Sequence, residues 1–305
     1  MLDPDADVVT LAAEASRPLT TKGKIGALFL GTQTSPYLSR SAAAVLADIL
    51  GLGPDVFAAD VQFASKSGTA ALAMAIAWVK AGFCDRALAV GADALCLHAA
   101  PGDPLEMTAG AGAVSVLVGA EDIAARFEGI SSVSSDTADG FRLQGDPYIR
   151  SGGPGLTSSG AGDLSHMSAA WRALKTQLGQ NASFARIALQ QADARNGNRI
   201  ARALGVDIEH CIAGEIAAEF GDLGSASSLA ALMLALESGQ PGERVGVVSY
   251  GQGAGADALS FQVDKPIVAG SIRAARARRT PVNYATAVRW EGRYRRHDNP
   301  LSVFE

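Results

Sequence analysis

Two stretches of this chain repeat one order of elements at one spacing, and that repeat constrains the fold more than any other feature. In the first, Ile25-Gly26-Ala27-Leu28-Phe29-Leu30 reads as a buried strand leading to Gln33, and a helix is expected from Ser41 to Leu50, closed by Gly51. Ser65-Lys66-Ser67-Gly68-Thr69 then opens a second helix to about Ala81, and a strand, Arg86 to Val90, ends at Gly91. In the second stretch, Phe184 to Leu189 is a strand that runs into Gln190, followed by a helix from Asn198 to Leu204 before Gly205. Asp222-Leu223-Gly224-Ser225-Ala226 opens an apolar helix through Leu236, and the strand Arg244 to Tyr250 ends at Gly251. Ser65 follows Gln33 by 32 residues, and Asp222 follows Gln190 by 32.

Strands alternating with helices imply parallel sheets covered on both faces. The helices after Ser65 and Asp222 are apolar nearly all round, which suits helices held between two sheets. The expected fold is α/β: two duplicated βαβ halves in a five-layer αβαβα sandwich. Gln33, Ser65, Gln190 and Asp222 all fall at strand ends or helix starts, where open α/β sheets place their ligands. Ser and Asp are also favoured helix N-caps, so spacing alone leaves ordinary turn residues open beside a shared site.

Composition narrows the function classes. The chain has 305 residues, 48% hydrophobic content, 6% aromatic content and 34 glycines, so its large core is built from small aliphatic side chains. Cys84, Cys96 and Cys211 form no C-x-x-C pair, which argues against a disulfide framework or zinc ribbon. Their small apolar neighbours suggest buried thiols, with a relocated Cys96–His98 pair as the alternative. His166, His210 and His297 lack acidic or cysteine partners at metal-ligand spacing and read as surface residues, so no metal is expected. The acidic start, Met1-Leu2-Asp3-Pro4-Asp5, is no signal peptide, and the longest apolar run, Ala70 to Val79, is about half the ~20 residues of a membrane span. A cytoplasmic protein without membrane attachment is expected.

Charge is uneven. Residues 265–305 carry nine positive side chains against Glu291, Asp298 and Glu305, while the whole chain has a formal net charge of −5. This basic extension suits a docking surface for an acidic partner, a site for a phosphate-bearing ligand, or a solvated helix, Ser271 to Arg279. No nucleic-acid motif accompanies it. Gly251-Gln252-Gly253-Ala254-Gly255 is followed by a strand pattern, Ala258 to Val263, and so does not read as a dinucleotide loop.

Several segments carry a resemblance. Gly31-Thr32-Gln33-Thr34-Ser35-Pro36-Tyr37, Phe63-Ala64-Ser65-Lys66-Ser67-Gly68-Thr69-Ala70 and Glu106-Met107-Thr108-Ala109-Gly110-Ala111-Gly112 are three of them. Ser135-Asp136-Thr137-Ala138-Asp139, Gly251-Gln252-Gly253-Ala254-Gly255-Ala256-Asp257 and Pro281-Val282-Asn283-Tyr284-Ala285-Thr286 complete the set. On these the chain resembles the thiolase superfamily, and within it the bacterial and archaeal type of 3-hydroxy-3-methylglutaryl-CoA synthase. Asp60-Val61-Gln62-Phe63, Ala100-Pro101-Gly102-Asp103 and Tyr148-Ile149-Arg150-Ser151-Gly152 are further similar to the synthase-like subunit of the bacterial monoacetylphloroglucinol acetyltransferase complex.

The resemblance implies that the nucleophilic cysteine of the family is replaced by Ser65, its catalytic glutamate by Gln33, its histidine by Gln190 and its asparagine by Asp222. A serine needs an adjacent base to become a nucleophile, and neither glutamine titrates. No residue is therefore assigned as catalytic. Gly224, Ser225, Gly253 and Gly255 are the candidate substrate-binding positions. The implied function is a non-catalytic synthase-like subunit of an acyl-CoA-dependent acyltransferase or condensing complex. The alternatives are an acyltransferase or thioester hydrolase working through Ser65, and a protein that binds CoA esters without chemistry. The implied ligand is CoA or acyl-CoA, with no covalently bound cofactor. The implied partners are a second copy, a thiolase-like catalytic subunit and a small OB-fold and zinc-ribbon protein.

The expected division is an N-terminal half at 1–165, a C-terminal half at 166–265 and the basic extension at 266–305. Family members carry a longer N-terminus holding the first strand of the first sheet. Here the chain opens within the next helix, at Asp5 to Leu11, so Met1 is expected to be an internal methionine or a misassigned start. That strand is expected to be central, and its absence to leave a gap between two strand edges.

Overall fold

The structure is a computed structural model that describes residues 2–3, 5–62, 64–137, 139–151, 162–179, 181–193, 195–267 and 271–290. Its strands are β1 Ala27–Gly31, β2 Phe57–Val61, β3 Arg86–Ala94, β4 Ala111–Gly119 and β5 Ala125–Ser134. They continue with a short ribbon, β6 Gly140–Phe141 and β7 Arg150–Ser151, then β8 Arg186–Leu189, β9 Cys211–Ile212, β10 Arg244–Gly251 and β11 Gly255–Val263. The helices are α1 Val8–Ser16, α2 Ala42–Ile49, α3 Ser67–Lys80, α4 Pro104–Thr108 and α5 Asp163–Leu178. The remainder are α6 Gly197–Leu204, α7 Glu215–Phe220, α8 Ser227–Ser238, α9 Ser271–Ala277 and α10 Tyr284–Trp290.

Local chemistry sets the ends of these helices. Asp7 and Thr10 form a reciprocal capping box on α1, and the Ser41 hydroxyl accepts from Ala44 N at 3.0 Å to start α2. Gly205 ends α6 in the left-handed conformation.

The first sheet has the order β2-β1-β3-β4 and the second β5-β11-β10-β8-β9. In each half a parallel trio (β2-β1-β3, and β9-β8-β10) is followed by one antiparallel strand, β4 or β11. Alternation along the strands sorts side chains into layers. Ala27 and Phe29 of β1 face α3 and α8, and so does Ala188 of β8. Leu28 and Leu30 face α1 and α2, whereas Ile187 and Leu189 face α5 and α6. Helices α3 and α8 thus form the central layer of the expected five. Close approach at its centre requires glycine: a Cβ on Gly68 would lie 2.0 Å from Ser225 O, and one on Gly91 would lie 2.5 Å from the same oxygen.

Two expectations are corrected. The strand beginning at Arg86 does not stop at Gly91 but runs to Ala94, because Gly91 admits the backbone of Ser225 beside an unbroken ladder to β4. The first sheet has no central gap, since β1 pairs directly with β3 from Ala27↔Ala87 to Gly31↔Gly91. The second sheet has one strand more than the first. There β5 lies at the edge, antiparallel to β11, and the equivalent position beside β4 pairs with no described strand. Residue 165 lies within α5, and the chain changes sheets earlier, between β4 and β5.

The C-terminal segment returns across the molecule. Arg276 and Arg279 both pair with Glu219 of α7, and the Tyr284 hydroxyl donates to Glu106 of α4 at 2.8 Å. Residues 291–305, including Arg293, Arg295, Arg296 and His297, lie outside the described residues. Among the described residues no helix is long and apolar enough to cross a membrane.

Candidate active site

The two halves meet at the ends of β1, β3, β8 and β10, and there the four singled-out positions come together. Gln33 follows β1 and its Nε2 donates to Ser65 Oγ at 2.8 Å. Ser65, Gln190 and Asp222 line one cavity of about 50 Å³, together with Asp163, Asn196, Tyr250 and Gln252. Ser65 is 3% exposed, and the residue before it, Ala64, has φ +48°, a left-handed conformation unusual for a side chain with a Cβ. The turn that presents Ser65 is therefore held against its local preference.

Two buried networks hold it there. In one, Lys66 Nζ pairs with Asp257 at 2.6 Å, with both side chains almost wholly buried. Asp257 also accepts from Thr69 at 2.9 Å and Ser132 at 2.7 Å, so the head of α3 is tied to the second sheet. In the other, Asp93 of β3 accepts through Oδ1 from Thr32 Oγ1, Gln33 N, Thr34 N and Thr34 Oγ1. Its Oδ2 accepts from Ser225 N and Ser225 Oγ, both at 2.7 Å. One wholly buried carboxyl group thus joins the Gln33 turn of the first half to the Ser225 turn of the second. Asp93 was not singled out from the sequence; the available signal was a lone acidic residue in the apolar run Ala87 to Ala94.

Gln190 Oε1 accepts from Tyr250 N at 3.1 Å, so its carbonyl end is engaged and its amide N–H groups remain the donors. Asp222 is 4% exposed, and its Oδ1 accepts from Gly224 N at 2.9 Å. Burial pushes its carboxyl up to about 7, opposed by the Gly224 hydrogen bond and reinforced by the nearby Asp93. Its backbone is pinned by Asp222 N to Thr108 O at 2.6 Å and Gly110 N to Asp222 O at 2.9 Å.

The candidate substrate-binding positions serve the frame around this cavity. The Ser225 hydroxyl is spent on Asp93 and on Gly31 O, and a Cβ on Gly224 would lie 2.3 Å from Asp93 Oδ2. Gly253 N donates to Asp139 at 2.7 Å, and a Cβ on Gly255 would lie 1.9 Å from Val133 O. None of the four lines the cavity.

His166 is not a surface residue. The inward face of α5 (His166, Met167, Ala170, Trp171, Leu174) buries it to 7% exposure. Its Nε2 meets Ser135 Oγ at 2.8 Å, and its ring stacks on that of Tyr250. The Tyr250 hydroxyl donates to Asp139. Burial opposes ionisation of Asp139, but hydrogen bonds from Tyr250, Gly253 and Thr137 outweigh it and hold the carboxyl below its usual range. His210 is exposed.

Among the described residues no cysteine and no histidine lines the cavity. Burial raises the Cys84 thiol and pushes that of Cys211 up to about 11. Cys96 is buried, while His98 directs Nδ1 at Pro147 O, 2.9 Å away, and burial lowers its pKa. Among the described residues no three His, Cys, Asp or Glu side chains converge as a metal site.

No family model matches the chain. It is 36% identical over 267 residues to the hydroxymethylglutaryl-CoA synthase of Methanopyrus kandleri, covering 86% of this chain and 75% of that one. Among solved structures it is similar to MvaS in complex with 3-hydroxy-3-methylglutaryl coenzyme A, with TM-score 0.79 and 25% identity over 94% of this chain and 81% of that one. A hydroxymethylglutaryl-CoA synthase complexed with CoA shares the fold at TM-score 0.80 and 22% identity, covering 93% and 77%.

Proposed function

This chain belongs to the hydroxymethylglutaryl-CoA synthase family, and we propose that it is a non-catalytic member, a synthase-like subunit of an acyl-CoA-dependent acyltransferase or condensing complex. The observation that carries this reading is the bond from Gln33 Nε2 to Ser65 Oγ. A general base would accept the serine proton; this neighbour instead donates to the serine oxygen and occupies a lone pair that attack would use. Gln190, at the other side of the cavity, accepts from Tyr250 N through its carbonyl oxygen and has no titratable group to serve as a base. Loss of nucleophile and base costs a hydrolytic enzyme about 10⁴–10⁶ in rate.

Within such a complex a thiolase-like subunit supplies the cysteine, and a small OB-fold and zinc-ribbon protein bridges the two, as in the bacterial monoacetylphloroglucinol acetyltransferase assembly. A second copy docks at the open edge of β2. Phe57 there is 44% exposed and stacks on Trp78, with Phe83 70% exposed beside them, an apolar row that suits a protein partner. The test is CoA release from acetyl-CoA, followed with a thiol reagent. The purified chain is expected to give the same background rate as its Ser65→Ala variant. Turnover that disappears in Ser65→Ala would overturn the proposal and favour an acyl-serine enzyme.

A second reading, a CoA-ester site kept without chemistry, is favoured by the cavity itself. Ser65, Gln190 and Asp222 still surround a space large enough for an acyl group, and the two similar solved synthases hold CoA or its hydroxymethylglutaryl ester.

A further inference from the structure

Asp222 occupies an unusual place for a carboxyl group. It lines the cavity, is 4% exposed, and takes a single side-chain hydrogen bond among the described residues, from Gly224 N to Oδ1. Among the described residues no cation pairs with it. Lys66, at the head of α3, is paired with Asp257, and Arg199 of α6 is paired with Asp163. Glu219 of α7 is taken by Arg276 and Arg279. Of the other titratable groups, Asp163 of α5 and Tyr250 of β10 line the cavity, Tyr250 donating to Asp139, and the field of Asp93 of β3 opposes a second negative charge. His166 of α5 is engaged with Ser135.

From this geometry we propose that Asp222, in its protonated form, donates its O–H to the carbonyl oxygen of a bound acyl thioester, so that the pocket takes its ligand in the acid form and releases it as pH rises. The proposal rests on the second reading above, that the cavity binds a CoA ester. A neutral carboxylic acid has the shape of the amide that the family resemblance puts at this position, and it offers an O–H where the amide offers an N–H. The ionised form offers only acceptors and repels a carbonyl oxygen. Burial, which holds the proton on until about neutral pH, places the switch in the physiological range.

Calorimetric titration with acetyl-CoA and with CoA tests this, since CoA carries the same phosphates without the carbonyl. The expected result is a preference for acetyl-CoA over CoA that falls ~10-fold between about pH 6 and about pH 8.5. In Asp222→Asn the preference is expected to stay constant across that range. Asp163→Asn, which alters the other cavity carboxyl, is expected to keep the wild-type dependence. A wild-type preference that does not change with pH, or one that still changes in Asp222→Asn, overturns the role of Asp222 and leaves CoA-ester binding standing. Absence of binding by either ligand at any pH overturns the CoA-ester reading, and the inference with it. Carbon-13 NMR of the ligand-free protein gives a second readout. One carboxyl resonance titrating near neutrality and missing from Asp222→Asn is expected, and its absence also overturns the inference.

Discussion

Replacing Asp222 by asparagine should make the protein more stable at alkaline pH and nearly unchanged in acid. The side chain keeps its shape, and Asn Oδ1 can still accept from Gly224 N, which lies 2.9 Å from the carboxyl oxygen. What changes is the charge. The folded carboxyl titrates at about 7 against an ordinary value of 3.8, and at ~1.4 kcal/mol per pH unit the ionised form costs about 4 kcal/mol in the folded state. Because the folded value is raised, the wild type loses this stability progressively as pH rises from about 4 to about 7, with no further loss above. Other carboxyls, such as Glu128 and Asp139, which their hydrogen bonds hold below the usual range, titrate alike in both proteins and cancel in the difference. Urea unfolding of the two proteins across pH measures that difference directly. Asp222→Asn is expected to be more stable by up to about 4 kcal/mol at pH ~8.5, the gain shrinking below ~1 kcal/mol at pH ~4. Parallel stability profiles, or a loss of stability in alkali, would refute the buried, unpaired carboxyl on which the reasoning depends.

Two further substitutions probe the networks that join the halves. Asp93→Ala strips the acceptor from Thr32, Gln33, Thr34 and Ser225 at once; urea unfolding should show a loss of at least ~3 kcal/mol, and a loss below ~1 would mean that Asp93 is not the link described. Lys66→Met leaves Asp257 buried and uncompensated, for a loss of about 3–5 kcal/mol, and the double variant with Asp257→Leu should recover much of it. Equal stability of Lys66→Met and wild type in the same assay would contradict a structural pair.

The sequence made the architecture legible where pattern and layer coincide. The all-round apolar helices after Ser65 and Asp222 are the central layer, and the matched spacing does bring Gln33, Ser65, Gln190 and Asp222 to one place. Strand order was not legible, because spacing says nothing about which edges pair. The direct β1–β3 ladder and the edge position of β5 emerge only from the registers. A single imidazole without metal-ligand partners carries no sign of burial; that of His166 follows from the inward face it shares with Met167 and Trp171 on α5. The role of Asp93 is not legible in the sequence because its partners come from residues far apart in the chain, including Thr32, Thr34 and Ser225.

The proposed function rests on a serine with a hydrogen-bond donor at its oxygen in the place of a nucleophile. Intact-mass spectrometry after prolonged incubation with acetyl-CoA tests it most directly, on the wild type and on Ser65→Cys side by side. An unmodified wild-type mass is expected, with gain of an acetyl group in Ser65→Cys, whose thiol can ionise without an adjacent base. An acetyl group on Ser65 of the wild type, located by peptide mapping, would contradict it.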